Sequence, residues 1–203
     1  MRIRTKSIAG AGLVLVAALA VAAAPVMAKS GSFTASTSPI QDTTLGEGLD
    51  LHGTATLTLQ GSILTAEIRA SGASPNLPHL MHIHGIIGGQ NDCPNIVDDL
   101  EADTNFDGFL DNTEATPAYG PFVVTFTTTG STSAGQALNL EAAVIAGPDG
   151  SIDYLRSFRI PSKIAKDLAN LHIVIHGADL NGDRAYDADG FEAALPVSCG
   201  GIN

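Results

Sequence analysis

The sequence predicts an all-β fold, an antiparallel sandwich or barrel with long acidic loops. Short runs rich in β-branched and apolar residues recur along the chain, separated by turn signals such as GPDG at 147–150, and this spacing is typical of such folds. Long stretches with the apolar periodicity of an amphipathic helix are missing. The two longest interruptions, 91–118 and 178–192, are both acidic, and long loops in a compact domain are usually functional or mobile.

The predicted strands can be placed in chain order. Residues 53–72 alternate threonines with apolar residues around Gln60-Gly61, which predicts a hairpin. Further strands are predicted over 80–84, 121–130, 138–146, 151–160 and 171–177. Residues 162–170 are expected to form one short helical turn, with Ser162 as its N-cap.

Residues 1–28 have the features of a secretory signal peptide. A basic start, MRIRTK, precedes an apolar run over 7–24, and the small residues that follow suit cleavage after Ala28. The run is short and ends in V-x-A, which disfavours an uncleaved membrane anchor. We therefore expect an exported protein, periplasmic or extracellular, with one mature domain over 29–203.

The mature chain is strongly acidic. It keeps all 21 acidic residues and 7 of the 10 basic ones, so its formal charge is −14 against −11 for the whole sequence. Such a chain should repel nucleic acid and anionic membranes and attract cations. Metal ions are therefore the expected partners, and the sequence makes no prediction about oligomeric state.

Several histidines lie in β-type runs. His82 and His84 alternate along one predicted strand, so they share a face, about 7 Å apart. In the strand HIVIH, His172 and His176 would lie about 13 Å apart and cannot share an ion, so at most one of them joins a metal site. Taken alone, H-x-H on a strand leaves a half-exposed polar face and a ligand pair equally open. His52 and His172 are expected to be partly exposed strand residues.

The whole pattern resembles the copper/zinc superoxide dismutase family, an eight-stranded Greek-key β-barrel. His79, His82 and His84 match its H-x-x-H-x-H motif, in which the first histidine is a structural hydrogen-bonding residue and the next two bind copper. Val174-Ile175-His176 is similar to its V-V-H strand, which supplies another copper ligand. The resemblance extends from about residue 53 to 202.

The resemblance also implies a disulfide. The family has a cysteine nine residues after the H-x-H motif, as Cys93 is here, and pairs it with one near the C-terminus, where Cys199-Gly-Gly-Ile is similar. Two cysteines in an exported chain usually pair in any case.

The departures from the family concern zinc and superoxide. No histidine lies between Cys93 and Phe122, where the family has its bridging and zinc histidines, so zinc of the family type is not expected. Pro196 stands where the family has an arginine that attracts superoxide, and the stretch after His176 is acidic. Dismutation, if present, would be slow, and the sequence assigns no catalytic residue.

In place of the zinc loop, residues 103–114 fit the EF-hand calcium motif D-x-[DN]-x-[DN]-G-x5-E at every position. Calcium is therefore predicted as a cofactor. The expected ligands are the side chains of Asp103, Asn105, Asp107, Asp111 and Glu114, together with the carbonyl of Phe109. Leu110 occupies the usual apolar position, and Pro117 is expected to prevent an exiting helix.

The second acidic stretch begins in the same way, with Asp179, Asn181 and Asp183, but has Arg184 where glycine belongs and Gly190 where the closing glutamate belongs. Two interpretations stay open, a solvated loop and an irregular second calcium site. In the latter, the candidates to complete the ligand set are Asp187, Asp189 and Glu192.

Three functions fit these observations. One is a copper-only, superoxide dismutase-like protein with copper at His82, His84 and His176 and calcium in the replaced loop. The second is a non-enzymatic exported module that holds copper or zinc. The third is a calcium-stabilised adhesion domain, since chordin-type extracellular domains have a similar H-I-H-G strand.

Overall fold

The structure is a computed structural model and describes residues 30–203, so the predicted signal peptide lies outside the described residues. Ten strands and three short α-helices make up the described chain. The strands are β1 (Ser30–Pro39), β2 (His52–Gln60), β3 (Ile63–Ser71), β4 (Pro78–His79), β5 (Met81–His84), β6 (Phe122–Thr125), β7 (Val144–Ile145), β8 (Ile152–Arg159), β9 (His172–His176) and β10 (Pro196–Gly201). The helices are α1 (Asn112–Tyr119), α2 (Ser162–Asp167) and α3 (Phe191–Ala194). None of the described helices is long and apolar enough to cross a membrane.

Eight strands form one antiparallel sheet in the order β6-β5-β9-β10-β1-β2-β3-β8, and β4 pairs with β7 in a small second sheet. The large sheet is curled, and side chains of β8 at one end of it reach the loop after β6 at the other end. Arg156 of β8 donates to the carbonyl oxygens of Thr127 and Gly130, in the loop after β6, at 2.7 and 2.6 Å. The sheet therefore forms a curled, barrel-like wall.

The core follows from the period of two along each strand. Leu57 and Leu59 of β2 and Leu64, Ala66 and Ile68 of β3 are buried, while the residues that alternate with them are half-buried or exposed. These strands form the predicted hairpin at Gln60. The all-β prediction is confirmed, and one main hydrophobic core lies inside the curl.

The strand predicted over 138–146 is wrong for most of its length. Only Val144–Ile145 is a strand, and Leu140–Ala142 forms a 3-10 turn. A second 3-10 turn, Ala134–Gln136, precedes it, and Asn139 donates its side-chain amide to Gln136 at 2.8 Å. Local polar contacts of this kind compete with a strand ladder.

Other boundaries differ from the prediction. The strand predicted over 121–130 ends at Thr125. Helix α2 begins at Ser162 with Pro161 as its N-cap residue, so Ser162 is not the cap. Strands β1 and β10 were not predicted, because β1 is rich in serine and threonine and β10 begins with proline and ends with two glycines.

The predicted disulfide is confirmed. Cys93 and Cys199 are joined with their Cα atoms 5.6 Å apart, across a sequence separation of 106 residues. Cys199 lies in β10, and Cys93 lies in the loop that follows β5. The bridge therefore attaches this loop to the wall, beside a small buried cluster that includes Leu110 and Tyr119.

We expect the double variant Cys93→Ala/Cys199→Ala to lose about 4 to 5 kcal/mol of unfolding free energy, since a bridge that closes a loop of about 100 residues restricts the unfolded chain by that amount. Urea unfolding of the variant and the oxidised wild type measures the difference. A loss below about 1 kcal/mol would contradict this role of the bridge.

Candidate metal centre

Three histidines converge on one face of the sheet wall. His82 and His84 are alternate residues of β5, and His176 ends the neighbouring strand β9. All three are at most 1% exposed. One ring nitrogen from each lies within 4.8 Å of the others. Between them on β5, Ile83 faces the core, so the period of two separates the ligand face from the packed face.

Each imidazole has one ring nitrogen fixed and the other free. His82 Nε2 donates to the carbonyl oxygen of Ala137, His84 Nδ1 to Gly120 and His176 Nδ1 to Ala194, each at 2.9 Å. A carbonyl oxygen only accepts, so these nitrogens carry the hydrogen. The remaining nitrogens, Nδ1 of His82 and Nε2 of the other two, are buried without a partner.

These free nitrogens fit a metal ion. Buried polar atoms normally have a hydrogen-bond partner, so three partnerless ones in a cluster call for a chemical reason. Metal-bound histidines commonly donate their other N–H to a carbonyl, as all three do here. Since metal–nitrogen bonds are about 2.0 to 2.1 Å long, a movement of each nitrogen by less than about 1 Å toward their common centre would let all three bind one ion.

All three orienting carbonyls lie at C-terminal ends of short helical segments. Gly120 caps α1, Ala194 is the last residue of α3, and Ala137 caps the 3-10 turn Ala134–Gln136. The last carbonyls of a helix have no intrahelical partner, which leaves them free to accept from the imidazoles. Three separate loops therefore orient the three candidate ligands.

Gly120 has to be glycine at this place. Its φ of 81° lies in the left-handed region. A side chain would also meet the backbone of Gly85 and Ile86 at 2.6 to 2.8 Å. The close approach places the end of α1 directly against the end of β5, and it brings the Gly120 carbonyl to His84.

The triad is held in the neutral state. Burial, and then the neighbouring His176, lower the pKa of His84 to about 3. Burial also lowers the pKa of His176 to about 4. The pKa of His82 is well below its usual value, because of burial and then the other two imidazoles. Neutral imidazole is the form that binds metal.

We expect the metal-free protein to lose stability as the pH falls from about 6.5 to 4. In this range the unfolded histidines take up protons, while folded His84 and His176, with pKa values of about 3 and about 4, stay largely neutral. Each histidine then lowers the unfolding free energy by up to about 1.4 kcal/mol per pH unit. Carboxylates with lowered pKa values, such as Glu114, begin to lose their contribution only below about pH 5.

Urea unfolding of the chelator-treated protein between pH 7.5 and 4.5 measures this dependence. A His52→Ala variant, which lacks an exposed strand histidine, serves as the control and should show the same slope. Stability that stays constant between pH 6.5 and 5 would contradict the neutral buried triad.

His79, which the resemblance makes a structural hydrogen-bonding residue, contacts two backbone carbonyl groups. It is fully buried, and its Nδ1 and Nε2 lie 3.1 and 3.0 Å from the carbonyl oxygens of His176 and Ser74. A neutral ring donates to only one of them at a time. Its contact with His176 is to the backbone, so it fixes the end of β9 from which the triad side chain projects.

His172 lies outside the triad, although its strand carries His176. It pairs directly with His84 across β5 and β9, but the metal-ligand group contains only His82, His84 and His176 among the described residues. The expectation that one of the two β9 histidines at most joins the site therefore agrees with the structure. The expectation that His172 is partly exposed is wrong, because it is 9% exposed and lies beside the end of β10.

The first acidic loop, 103–114, turns its side-chain oxygens onto its own backbone. Asp103 accepts the N–H groups of Phe106 and Gly108 at 2.8 and 3.0 Å. Gly108 has a φ of 89°, in the left-handed region that glycine adopts without strain. Glu114 accepts from the backbone N–H of Thr104 with one oxygen and of Asp111 with the other, at 2.8 and 3.1 Å. The loop is closed by its first and last acidic residues.

The remaining predicted ligands of this loop have similar contacts. Asn105 accepts from the N–H of Asp107, which in turn accepts from the N–H of Phe109, both at 2.9 Å. Leu110 is fully buried, as its motif position requires. The side-chain amide of Gln41 bonds both the N–H and the carbonyl of Leu110 and also reaches the carbonyl of Pro196. Gln41 therefore attaches this loop to β10.

The expectation that Pro117 prevents an exiting helix is wrong. Helix α1 starts directly from the loop, because Asp111 and Glu114 form a capping box, and it includes Pro117. A capping box satisfies the first free N–H groups of a helix. Proline removes one internal hydrogen bond, a cost that this eight-residue helix accommodates. The loop and α1 therefore form one continuous unit that ends at Gly120.

The second acidic loop repeats the pattern with two additional residues. Asp179 accepts the N–H groups three and five residues on, from Gly182 and Arg184, as Asp103 does. Arg184 has a φ of 68° and takes the left-handed place of Gly108. Glu192 accepts from the N–H groups of Leu180 and Asp187, so it closes this loop in place of position 190. Asn181 and Asp183 each accept from the residue two positions on.

Several residues that contact the three histidines could not be identified from the amino-acid sequence. The orienting groups of Ala137, Gly120 and Ala194 are backbone carbonyls, which have no side-chain signature. Phe122, whose ring lies 4.6 Å from those of His82 and His84, follows a long loop and reads as an ordinary strand residue. Only the topology brings them to the histidines.

Comparison with known proteins leaves the family open. No protein-family model matches the chain, and no curated protein matches it.

Proposed function

We propose that this chain is an exported metal-binding protein of the copper/zinc superoxide dismutase type, holding one copper ion between His82, His84 and His176. The observation that carries the proposal is the set of three buried, partnerless ring nitrogens whose opposite nitrogens are fixed by carbonyls. Imidazole suits copper and zinc, as well as iron and nickel. The family resemblance favours copper.

The strand order supports the Greek-key part of the proposal. β3 lies next to β8 and β5 next to β9, so distant segments of the chain become neighbours, as in Greek-key folds. The disulfide is compatible with export, since such bridges persist in oxidising compartments. The predicted signal peptide over 1–28 would direct the chain to the periplasm or the exterior.

The proposal includes calcium in the loop 103–114. The motif match at all twelve positions supports it, together with the left-handed Gly108 and the carboxylate that closes the loop at Glu114. Calcium prefers such oxygen ligands, with a glutamate at the twelfth position giving both oxygens. The cation would also offset part of the negative charge of the chain.

Slow superoxide dismutation is a second candidate function, and a cationic groove separated from the triad by the Phe122 ring favours an outer-sphere reaction, in which superoxide does not bind the metal. This groove, about 410 Å³ in volume, is lined by Phe122, Arg159 and Lys163 among other residues. In so acidic a chain, two cations at one groove would favour the approach of a small anion. Bound copper would supply one-electron cycling between Cu(I) and Cu(II).

X-ray absorption of the copper-loaded protein tests the proposal. We expect about three nitrogen neighbours near 2 Å with the scattering signature of imidazole, and the signature should disappear when His82, His84 and His176 are all replaced by alanine. Copper surrounded by oxygen in the wild type would contradict the site. The same samples, assayed for superoxide loss with and without Arg159→Ala/Lys163→Ala, separate dismutation from simple copper holding.

A further inference from the structure

We infer that Phe122 sets the metal preference of the triad by occupying the side from which a fourth ligand would approach, so that the site favours three-coordinate Cu(I) over zinc. This inference rests on the proposed function and adds a specificity-determining residue to it. It concerns a side chain that donates nothing to the metal and acts by covering it.

The ring of Phe122 contacts the whole triad. Its centroid lies 4.6 Å from those of His82 and His84 and 6.1 Å from that of His176. Among the described residues it is the only aromatic side chain outside the triad within this range of all three rings; Tyr119 reaches only His84, at 4.3 Å. Phe122 is therefore the common neighbour of the three candidate ligands.

A bulge places Phe122 there. β5 and β6 are in register at Ile83 and Val124, but the register shifts by one residue, so that Phe122 pairs with His84. Residues directly opposite one another across antiparallel strands project to the same face. Val123, the additional residue, packs against the main core instead. Without the shift, Phe122 would not lie opposite His84.

Phe122 also separates the triad from the groove. It is half-buried, and it lines the groove that contains Arg159 and Lys163. On its other side it contacts the imidazoles, whose free nitrogens are buried. A water molecule that entered the metal site from this groove would have to pass the phenyl ring, which offers it no hydrogen-bonding atom.

Zinc and Cu(I) differ in the number of ligands they need, so the position of the Phe122 ring affects their binding differently. Zinc takes four ligands, and in sites with three protein ligands the fourth is water or substrate. Cu(I) is satisfied by three neutral nitrogens. If Phe122 blocks the fourth coordination position, zinc loses one of its four ligands, whereas Cu(I) keeps all three of its ligands. Geometry and ligand type, rather than intrinsic affinity, set metal selectivity in proteins.

Metal competition with Phe122→His, Phe122→Ala and Phe122→Leu tests the inference. Cu(I) and Zn(II) dissociation constants would be measured against chelators of known affinity, with circular dichroism to confirm folding. We expect Phe122→His to bind zinc at least tenfold more tightly, since it adds a fourth nitrogen, and Phe122→Ala to bind zinc severalfold more tightly, since it admits water. Phe122→Leu keeps an apolar cover and should match the wild type.

Electron paramagnetic resonance of the Cu(II)-loaded proteins adds a readout independent of affinity. Phe122→His should show one more nitrogen coupling than the wild type. Unchanged zinc affinity in folded Phe122→His, or in Phe122→Ala if the histidine variant does not fold, would overturn the inference. Failure of the wild type to bind Cu(I) through the triad would instead overturn the proposed function.

Discussion

Replacing His176 by alanine is expected to lower the copper affinity by roughly 100-fold or more, because one of three ligands is lost and outer-shell changes alone cost 10- to 100-fold. The side chain is 1% exposed, its Nδ1 is fixed by Ala194, and its Nε2 is free. We expect comparable losses for His82→Ala and His84→Ala. Chelator competition at pH 7.5 measures each constant.

The same strand provides a matched control. His172 lies four residues before His176 on β9 and opposite His84, but it lies outside the triad. His172→Ala also removes a buried imidazole from β9. It therefore creates a packing defect similar to that of His176→Ala but leaves the three candidate ligands in place. Its copper affinity should stay within about threefold of the wild type. A comparable loss of copper affinity in His172→Ala and His176→Ala would show that the affinity depends on the packing of β9 and not on His176 as a ligand.

Removing the calcium ion that we propose for the loop 103–114 is expected to lower the copper affinity about tenfold. The first acidic loop continues into α1, whose C-terminal carbonyl, that of Gly120, orients His84. At its N-terminal end α1 presents Asn112, which donates at 3.2 Å to the Ala194 carbonyl that orients His176. A calcium ion that orders the loop would therefore also stabilise the two carbonyl groups that orient His84 and His176.

The variant Glu114→Gln should weaken calcium binding without unfolding α1, so it separates the effect of calcium from a loss of structure. Glutamine also completes a capping box, so α1 keeps its start, but it gives calcium only one oxygen. We expect calcium binding to weaken strongly and copper affinity to fall to the calcium-free level. Asp98→Asn removes the same charge from an exposed residue outside the loop and should change neither.

Isothermal titration measures both ions in both orders. Because coupling between two binding sites is reciprocal, copper should raise the calcium affinity by the same factor as calcium raises that of copper. Wild-type copper affinity that is the same with calcium and with a calcium chelator would contradict the coupling through α1.

The sequence predicts the hairpin and strands such as β9 because these depend on local signals, whereas the disulfide is implied by the family resemblance and by two cysteines in a chain expected to be exported. Alternation across Gln60 needs only the period of two, and β9 carries a β-branched core between its histidines. Strand β1 and the 3-10 turn at Leu140–Ala142 depend on their partners instead. β1 has little apolar content of its own and is a strand because it pairs with β2 and β10.

The candidate site divides in the same way. His82 and His84 could be predicted to share a face from their spacing, and the loop 103–114 from its motif. The orientation of each imidazole could not, because it depends on carbonyls 36, 55 and 18 residues away. The position of Phe122 over the three histidines depends on a one-residue register shift between β5 and β6, and no pattern of residues in the sequence predicts this shift.

Elemental analysis of the mature protein, equilibrated with copper, zinc and calcium together and then desalted, tests the central claim most directly. We predict about one copper per chain, lost in the variant His82→Ala/His84→Ala/His176→Ala, with at least one calcium that this variant retains. Calcium without copper, or copper that the triple variant keeps, would contradict the assignment of His82, His84 and His176 as a copper site.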